Sequence, residues 1–234
     1  MRLKKTRLRA YRKLAGRALA NNVDGTGVTI RDELRIYTRD VHQQLHEHSH
    51  FEALFDGTIE RTQYCDLMRA FFGFYAPLER ALDIVLPEAR DERTGFHYAE
   101  RLNFLRRDLA FLGDSPAEID RLPICSAIFD LVRPDSLAGV LYVVEGATLG
   151  ASQIDRAAQK ILSSETLQGR RFWAWSRANN KIRWAAISAF LEELDQTNHP
   201  RDAILRGASD TFQALADWMT PLNLRESVDE GKVL

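Results

Sequence analysis

The chain has 234 residues, 45% of them apolar and 28% charged, with a formal net charge of −1. That length carries one large core, and the composition is that of an ordinary soluble globular protein. No apolar run approaches the roughly 20 residues of a membrane span, and no secretory leader is visible at the N-terminus.

Residues 1–28 hold eight Lys and Arg against the single acid Asp24, a local charge of +7 that leaves −8 on the rest. A body that acidic argues against nucleic acid as the main ligand. Residues 1–21 are predicted as a basic tail or helix, with Leu8, Tyr11, Ala15 and Ala18 on one side. Such a segment is either solvated or docks an acidic partner or membrane surface. NNVDGTG (21–27) reads as a linker, so the compact domain begins near Val28.

From Thr29 onward the pattern is helical. Leu34, Val41 and Leu45 follow helical spacing. A long helix is predicted from Thr58, as N-cap, to Leu86, kinked at Pro77. Further helices are predicted at 96–112, ending at Gly113, at 116–121 behind Ser115, and at 124–132, 136–162, 170–195 and 200–219. No segment alternates as a strand does. The expectation is an all-α, single-domain fold over 29–220, with an N-terminal extension (1–28) and a C-terminal tail (221–234). Cys65 and Cys125 have no metal-binding spacing and lie among apolar residues, as core thiols of a reducing cytoplasm do.

The most informative stretch is GVLYVVEGATLGAS (139–152). Gly146 and Gly150 each cost a helix about 1 kcal/mol relative to alanine. Their spacing of four stacks them on one face, where bare backbone permits either close helix packing or a flat ligand such as a porphyrin. About a hundred residues upstream, Arg35, Thr38 and His42 share one helix face. Arg35 stands two turns from His42, roughly 10 Å along the axis, about the separation of a haem iron from a porphyrin-edge carboxylate. A neutral imidazole ligates iron and a guanidinium pairs with a propionate. His46, His48 and His50 follow, and Glu47 with His50 makes an E-x-x-H spacing without the further carboxylates that a di-iron bundle needs. Glu145, alone in an apolar run, needs a buried partner. Lys181, Arg183 and Trp184 cluster on a late helix.

LRIYTRDVHQQLHEHSHFEALFDGTIERTQYCDLMRAFFGFYAPLERAL (34–82) resembles the opening of a biliverdin-producing haem oxygenase of the bacterial branch, and LYVVEGATLGAS (141–152) resembles that family's distal helix. A third block, from RFWAW to DWM (171–219), has the family's aromatic order, with Thr211, Phe212 and Trp218 at its end. The resemblance covers about residues 30–220. It implies that haem is both substrate and cofactor and that O2 is consumed. Biliverdin, carbon monoxide and ferrous iron are the implied products. It implies His42 as the iron ligand, and Arg35, Arg183 and the adjacent Lys181 toward the propionates. Thr38, Tyr142 and Glu145 are implied around the cofactor, with Gly146 and Gly150 under its distal face and the bound O2. The implied partners are an electron donor, such as ferredoxin or a flavin reductase, and a bilin-accepting phytochrome.

Two positions depart from the family's pattern. His46 stands where better-known members place a carboxylate that accepts the ligand's N–H, and Ala147 stands where some carry an aspartate. His46 and the added basic segment at 1–28 motivate a competing reading, a non-catalytic haem sensor or carrier on the same fold. A third class, a di-iron oxidase or a thiamin-type hydrolase, needs a metal cluster or a catalytic Cys65.

Overall fold

A computed structural model describes residues 28–89, 96–163, 165–196 and 200–229; the basic segment 1–27 and its anticipated docking role lie outside the described residues. The first helix, α1 (Ile30–His46), starts where the Thr29 hydroxyl accepts the Asp32 backbone N–H at 3.2 Å. Ile30, Leu34, Thr38, Val41 and Leu45 form its buried stripe. The His48 ring then opens α2 (Ser49–Asp56) by accepting the His50 N–H at Nδ1, while its Nε2–H donates to the Met219 carbonyl at 3.0 Å. Gly57, at φ 75°, ends α2 in the left-handed region that favours glycine.

The long helix α3 (Arg61–Ala89) begins later than the sequence suggests and runs through Pro77. Thr58 is not its N-cap. Both its N–H and its hydroxyl turn back to the Ala53 carbonyl, and the Gln63 side chain caps the start by accepting the Glu60 N–H at 2.7 Å. The next helix, α4, likewise spans only Leu102–Leu112, because residues 96–101 are drawn out along α3. There the Glu79 carboxylate accepts the N–H groups of Arg101 (2.6 Å) and Leu102 (3.2 Å) and the Tyr98 hydroxyl (3.1 Å), so the helix starts under a cap lent by another element. Two short helices follow, α5 (Pro116–Ile119), with a Ser115–Glu118 capping box, and α6 (Ile128–Leu131).

Three long helices complete the fold: α7 (Leu137–Leu162), α8 (Arg171–Gln196) and α9 (Arg201–Asp229). The last runs past residue 220, where the sequence places the end of the domain. Nine helices and no strand are present among the described residues, so the fold is all-α. The α7 helix packs along α8 and α9, and α3 closes the core with Phe71 and Tyr75 against Phe172 and Trp173. By length and apolarity α7 also matches a membrane span, yet 61% of its most apolar window is buried inside the protein.

The Asp108 carboxylate fixes where α8 begins, accepting the N–H groups of Arg171 and Phe172 at 2.9 Å each. Burial pushes the pKa of Asp108 up from 3.8 to about 6, against the pull of these donors. The folded state therefore holds this proton more tightly than the unfolded chain. Its contribution to stability is complete below pH 3.8 and is lost as pH rises through about 6. Asp108→Asn is expected to flatten that segment of a stability-versus-pH profile measured by urea unfolding.

Candidate functional site

Both α1 and α7 lean on α8 and α9, and they meet each other where the side chain of Thr38 reaches the Tyr142 phenol. Burial raises the pKa of Tyr142, opposed by Thr38 and the positive charges of Arg35 and Arg31. The turn after α2 lies against the later part of α7, from Gln153 to Ile161, so α1 and α7 run in the same sense. One turn beyond the Thr38–Tyr142 contact stand His42 and Gly146, and a further turn on stand His46 and Gly150. His42 and Gly150 are both exposed at this opening.

The walls are aromatic. Phe212 of α9 meets the His42 ring edge-on at 5.5 Å, and Trp184 of α8 lies 5.7 Å from the Tyr142 ring. Burial and the neighbouring His46 lower the His42 pKa below 6.5, so the imidazole is neutral and ligand-competent at neutral pH. The His46 ring stands 4.6 Å away, T-shaped to His42, and stacks on Phe55.

Behind the opening, Glu145 is fully buried and forked between two arginines. Its Oε2 pairs with the equally buried Arg101 and accepts from Arg183 Nε at 3.1 Å, and its Oε1 pairs with Arg183 Nη2 at 2.5 Å. Arg101 also donates to the Val144 carbonyl at 3.0 Å and lies between the Tyr98 and Trp175 rings, 5.2 Å from each. Arg183 donates its remaining Nη1 to the His97 carbonyl at 2.7 Å.

A family model described as heme oxygenase matches residues 28–220. The chain belongs to the heme oxygenase family. Its helices superpose on those of heme oxygenase-1 from the cyanobacterium Synechocystis sp. PCC6803, solved with heme: TM-score 0.64, 19% identity, 86% of this chain and 96% of that one. Heme oxygenase from Leptospira interrogans gives a TM-score of 0.66 at 17% identity, covering 82% of this chain and 99% of that one. Heme oxygenase-2 from Synechocystis, solved with heme and NO, gives 0.62 at 18% identity over 86% and 88%. No curated protein sequence matches significantly. The chain is thus a haem-degrading oxygenase by family, and its all-α fold is the fold of those enzymes.

Glu145 and Arg183, which the resemblance implies around the cofactor, pair with each other and, through Glu145, with Arg101, as a pin beneath α7. Arg35 and Lys181 are exposed and make no ion pair with another described residue, so they remain as the free cations of the predicted set. Arg101 escapes the sequence reading. The lone Glu145 calls for a partner, but Arg101 lies in a stretch read as ordinary helix.

The two glycines do not serve helix packing. No atom lies within 4 Å of where a Cβ on Gly150 would stand, and one on Gly146 would only touch Trp184 at 3.6 Å. Close packing instead falls to Gly139, where a Cβ would stand 2.0 Å from the Ile204 carbonyl oxygen. Gly150→Ala is therefore expected to stabilise the apo-protein by about 1 kcal/mol through helix propensity. Gly139→Ala, which drives α7 from α9, is expected to destabilise it by about 1–3 kcal/mol or more. Thermal unfolding of the two variants checks both signs.

The remaining chemistry classes find no support. Among the described residues, no group of three His, Cys, Asp or Glu is placed to hold a metal ion. Cys65 is buried, and burial raises its thiol pKa, away from the thiolate that a nucleophile needs.

Proposed function

We propose that this protein cleaves haem to biliverdin, carbon monoxide and ferrous iron, using O2 and electrons from an external donor such as ferredoxin or a flavin reductase. The observation that carries the proposal is the pairing of an exposed, neutral His42 with the open backbone face at Gly150. These residues fit the group: His42 offers a neutral nitrogen to iron, and the missing Cβ leaves room for a flat macrocycle. When bound, haem supplies the redox chemistry that activates O2 and is itself oxidised. The chain's own task is to ligate, orient and exclude water. Arg35 and Lys181 set the rotation of the ring through its carboxylates, Trp184 and Phe212 wall the slot, and the Glu145 pin fixes which face of α7 looks outward. A reducing cytoplasm agrees with two unpaired cysteines, and a bilin-accepting phytochrome is a fitting consumer of the product.

The test is single turnover: haem-loaded protein with reductant and air. Loss of the haem band with appearance of biliverdin and carbon monoxide supports the reading. A haem complex that merely autoxidises, with the macrocycle intact, assigns the protein to the carrier class that His46 motivates. Arg35→Glu and Lys181→Glu are each expected to weaken haem binding about tenfold, in line with losing a partly exposed charge-assisted contact. They are also expected to redistribute the biliverdin isomers, resolved by chromatography. Unchanged isomer ratios in both variants place the propionates elsewhere.

A further inference from the structure

Beyond the slot lies a second concavity of about 660 Å³, between the turn after α2 and the last turns of α7. Its floor is apolar, built by Leu54, Ile59, Ala157 and Ile161. Its rim carries three cations, Arg61, Arg156 and Lys160, against one acid, Asp56. None of the three forms an ion pair with a described residue; Arg156 only donates its Nε–H to the Ser152 carbonyl at 2.9 Å. Apolar floor and unneutralised cationic rim together select an apolar body that bears carboxylates.

The concavity begins where the slot ends. Gln153, on its wall, is three residues past Gly150, about 4.5 Å along the helix. Phe55, also on its wall, is the residue stacked on the His46 ring. His42 and Gly146 do not line it, so it is a neighbour of the ligation site and not part of it.

We propose that this groove binds the open-chain tetrapyrrole dicarboxylate product as it leaves the slot. This inference rests on the haem-cleaving reading above. Haem carries the same two carboxylates on an apolar body, but it is rigid and held by iron to His42. Once the ring is opened and the iron gone, that tether is lost and the molecule bends. The carboxylates can then exchange Arg35 and Lys181 for Arg156, Lys160 and Arg61 while the pyrrole edges slide along the floor.

The full-length protein is first loaded with one equivalent of haem, which fills the slot, and then titrated with biliverdin, followed by induced circular dichroism. A further equivalent of biliverdin is expected to bind. In the double variant Arg156→Glu/Lys160→Glu its affinity is expected to fall tenfold or more, with the haem spectrum and affinity unchanged. Both residues are exposed on α7, so the fold is not at stake, and helical circular dichroism checks it. No binding of biliverdin to the haem-loaded protein, or equal affinity in the double variant, overturns the proposal. So does a second equivalent of haem in the groove with biliverdin excluded, which would make it an entry site. Failure of haem to bind at His42 is a separate outcome: it sinks the haem-cleaving reading, while the groove is still read by titrating the apo-protein and the double variant.

Discussion

Replacing His42 with alanine is expected to abolish the imidazole-ligated haem spectrum and turnover, with global stability changed by no more than about 0.5 kcal/mol, as for an exposed side chain. The exposed His42 ring meets Phe212 edge-on at 5.5 Å and stands at the helical level of Gly146. The His48 ring is tied to the Met219 carbonyl and the His50 N–H, which leaves the exposed His46 ring, 4.6 Å away, as the neighbouring alternative. Exogenous imidazole is expected to restore the spectrum in the cavity the substitution leaves. His46→Ala should keep the ligand bands; if it loses them while His42→Ala retains them, the register is wrong. Acid supplies an independent check. A ligand nitrogen must be unprotonated to bind iron, and the His42 pKa lies below 6.5, so haem affinity should hold from neutral pH through 6.5 and fall only below it. The same depressed pKa means that the unfolded chain takes up this proton first. The apo-protein therefore loses stability as pH falls below 6.5, and His42→Ala should blunt that loss.

Much of this site was legible in the sequence because its elements are local. The offset of seven from Arg35 to His42 and of four between the glycines are statements about one helix each, and helical periodicity settles which face they share. The all-α architecture followed from the same periodicity. The misreadings share one cause: a residue from another element decides a local choice. Residues 96–101 have helical composition, but the Glu79 carboxylate takes the Arg101 and Leu102 N–H groups and starts α4 there instead. Thr58 has the chemistry of a cap, but the Ala53 carbonyl captures it. Arg183 looks like a free cation beside a cofactor, but Glu145, 38 residues upstream, claims it. Nothing in the spacing of Glu145 and Arg101 announces that they pair across 44 residues. Only the cost of burying a lone carboxylate says that a partner must exist.

That pairing carries the largest stability effect expected in the molecule. Glu145→Ala leaves Arg101 wholly buried with no counter-charge and frees Arg183 from its forked partner. Breaking a buried ion pair from one side costs about 3–5 kcal/mol, a large part of the 5–15 kcal/mol by which a domain is stable. The expected result is an apo-protein that unfolds at markedly lower urea, or fails to accumulate. Arg101→Met in the same background removes the stranded charge and should recover part of the loss, because apolar replacements of similar volume fill buried ion-pair sites well. The pin also has a functional reading that stability alone does not test. Glu145 precedes Gly146 directly, so the fork that holds one face of α7 inward sets the other face outward at the slot. Glu145→Gln keeps the shape and the hydrogen-bonding oxygen while dropping the charge, and it is expected to fold with a smaller loss. If the fork orients α7, the haem complex of Glu145→Gln should show an altered biliverdin isomer ratio at full haem occupancy. If its isomer ratio matches that of the parent protein while its urea midpoint falls, the fork serves stability alone.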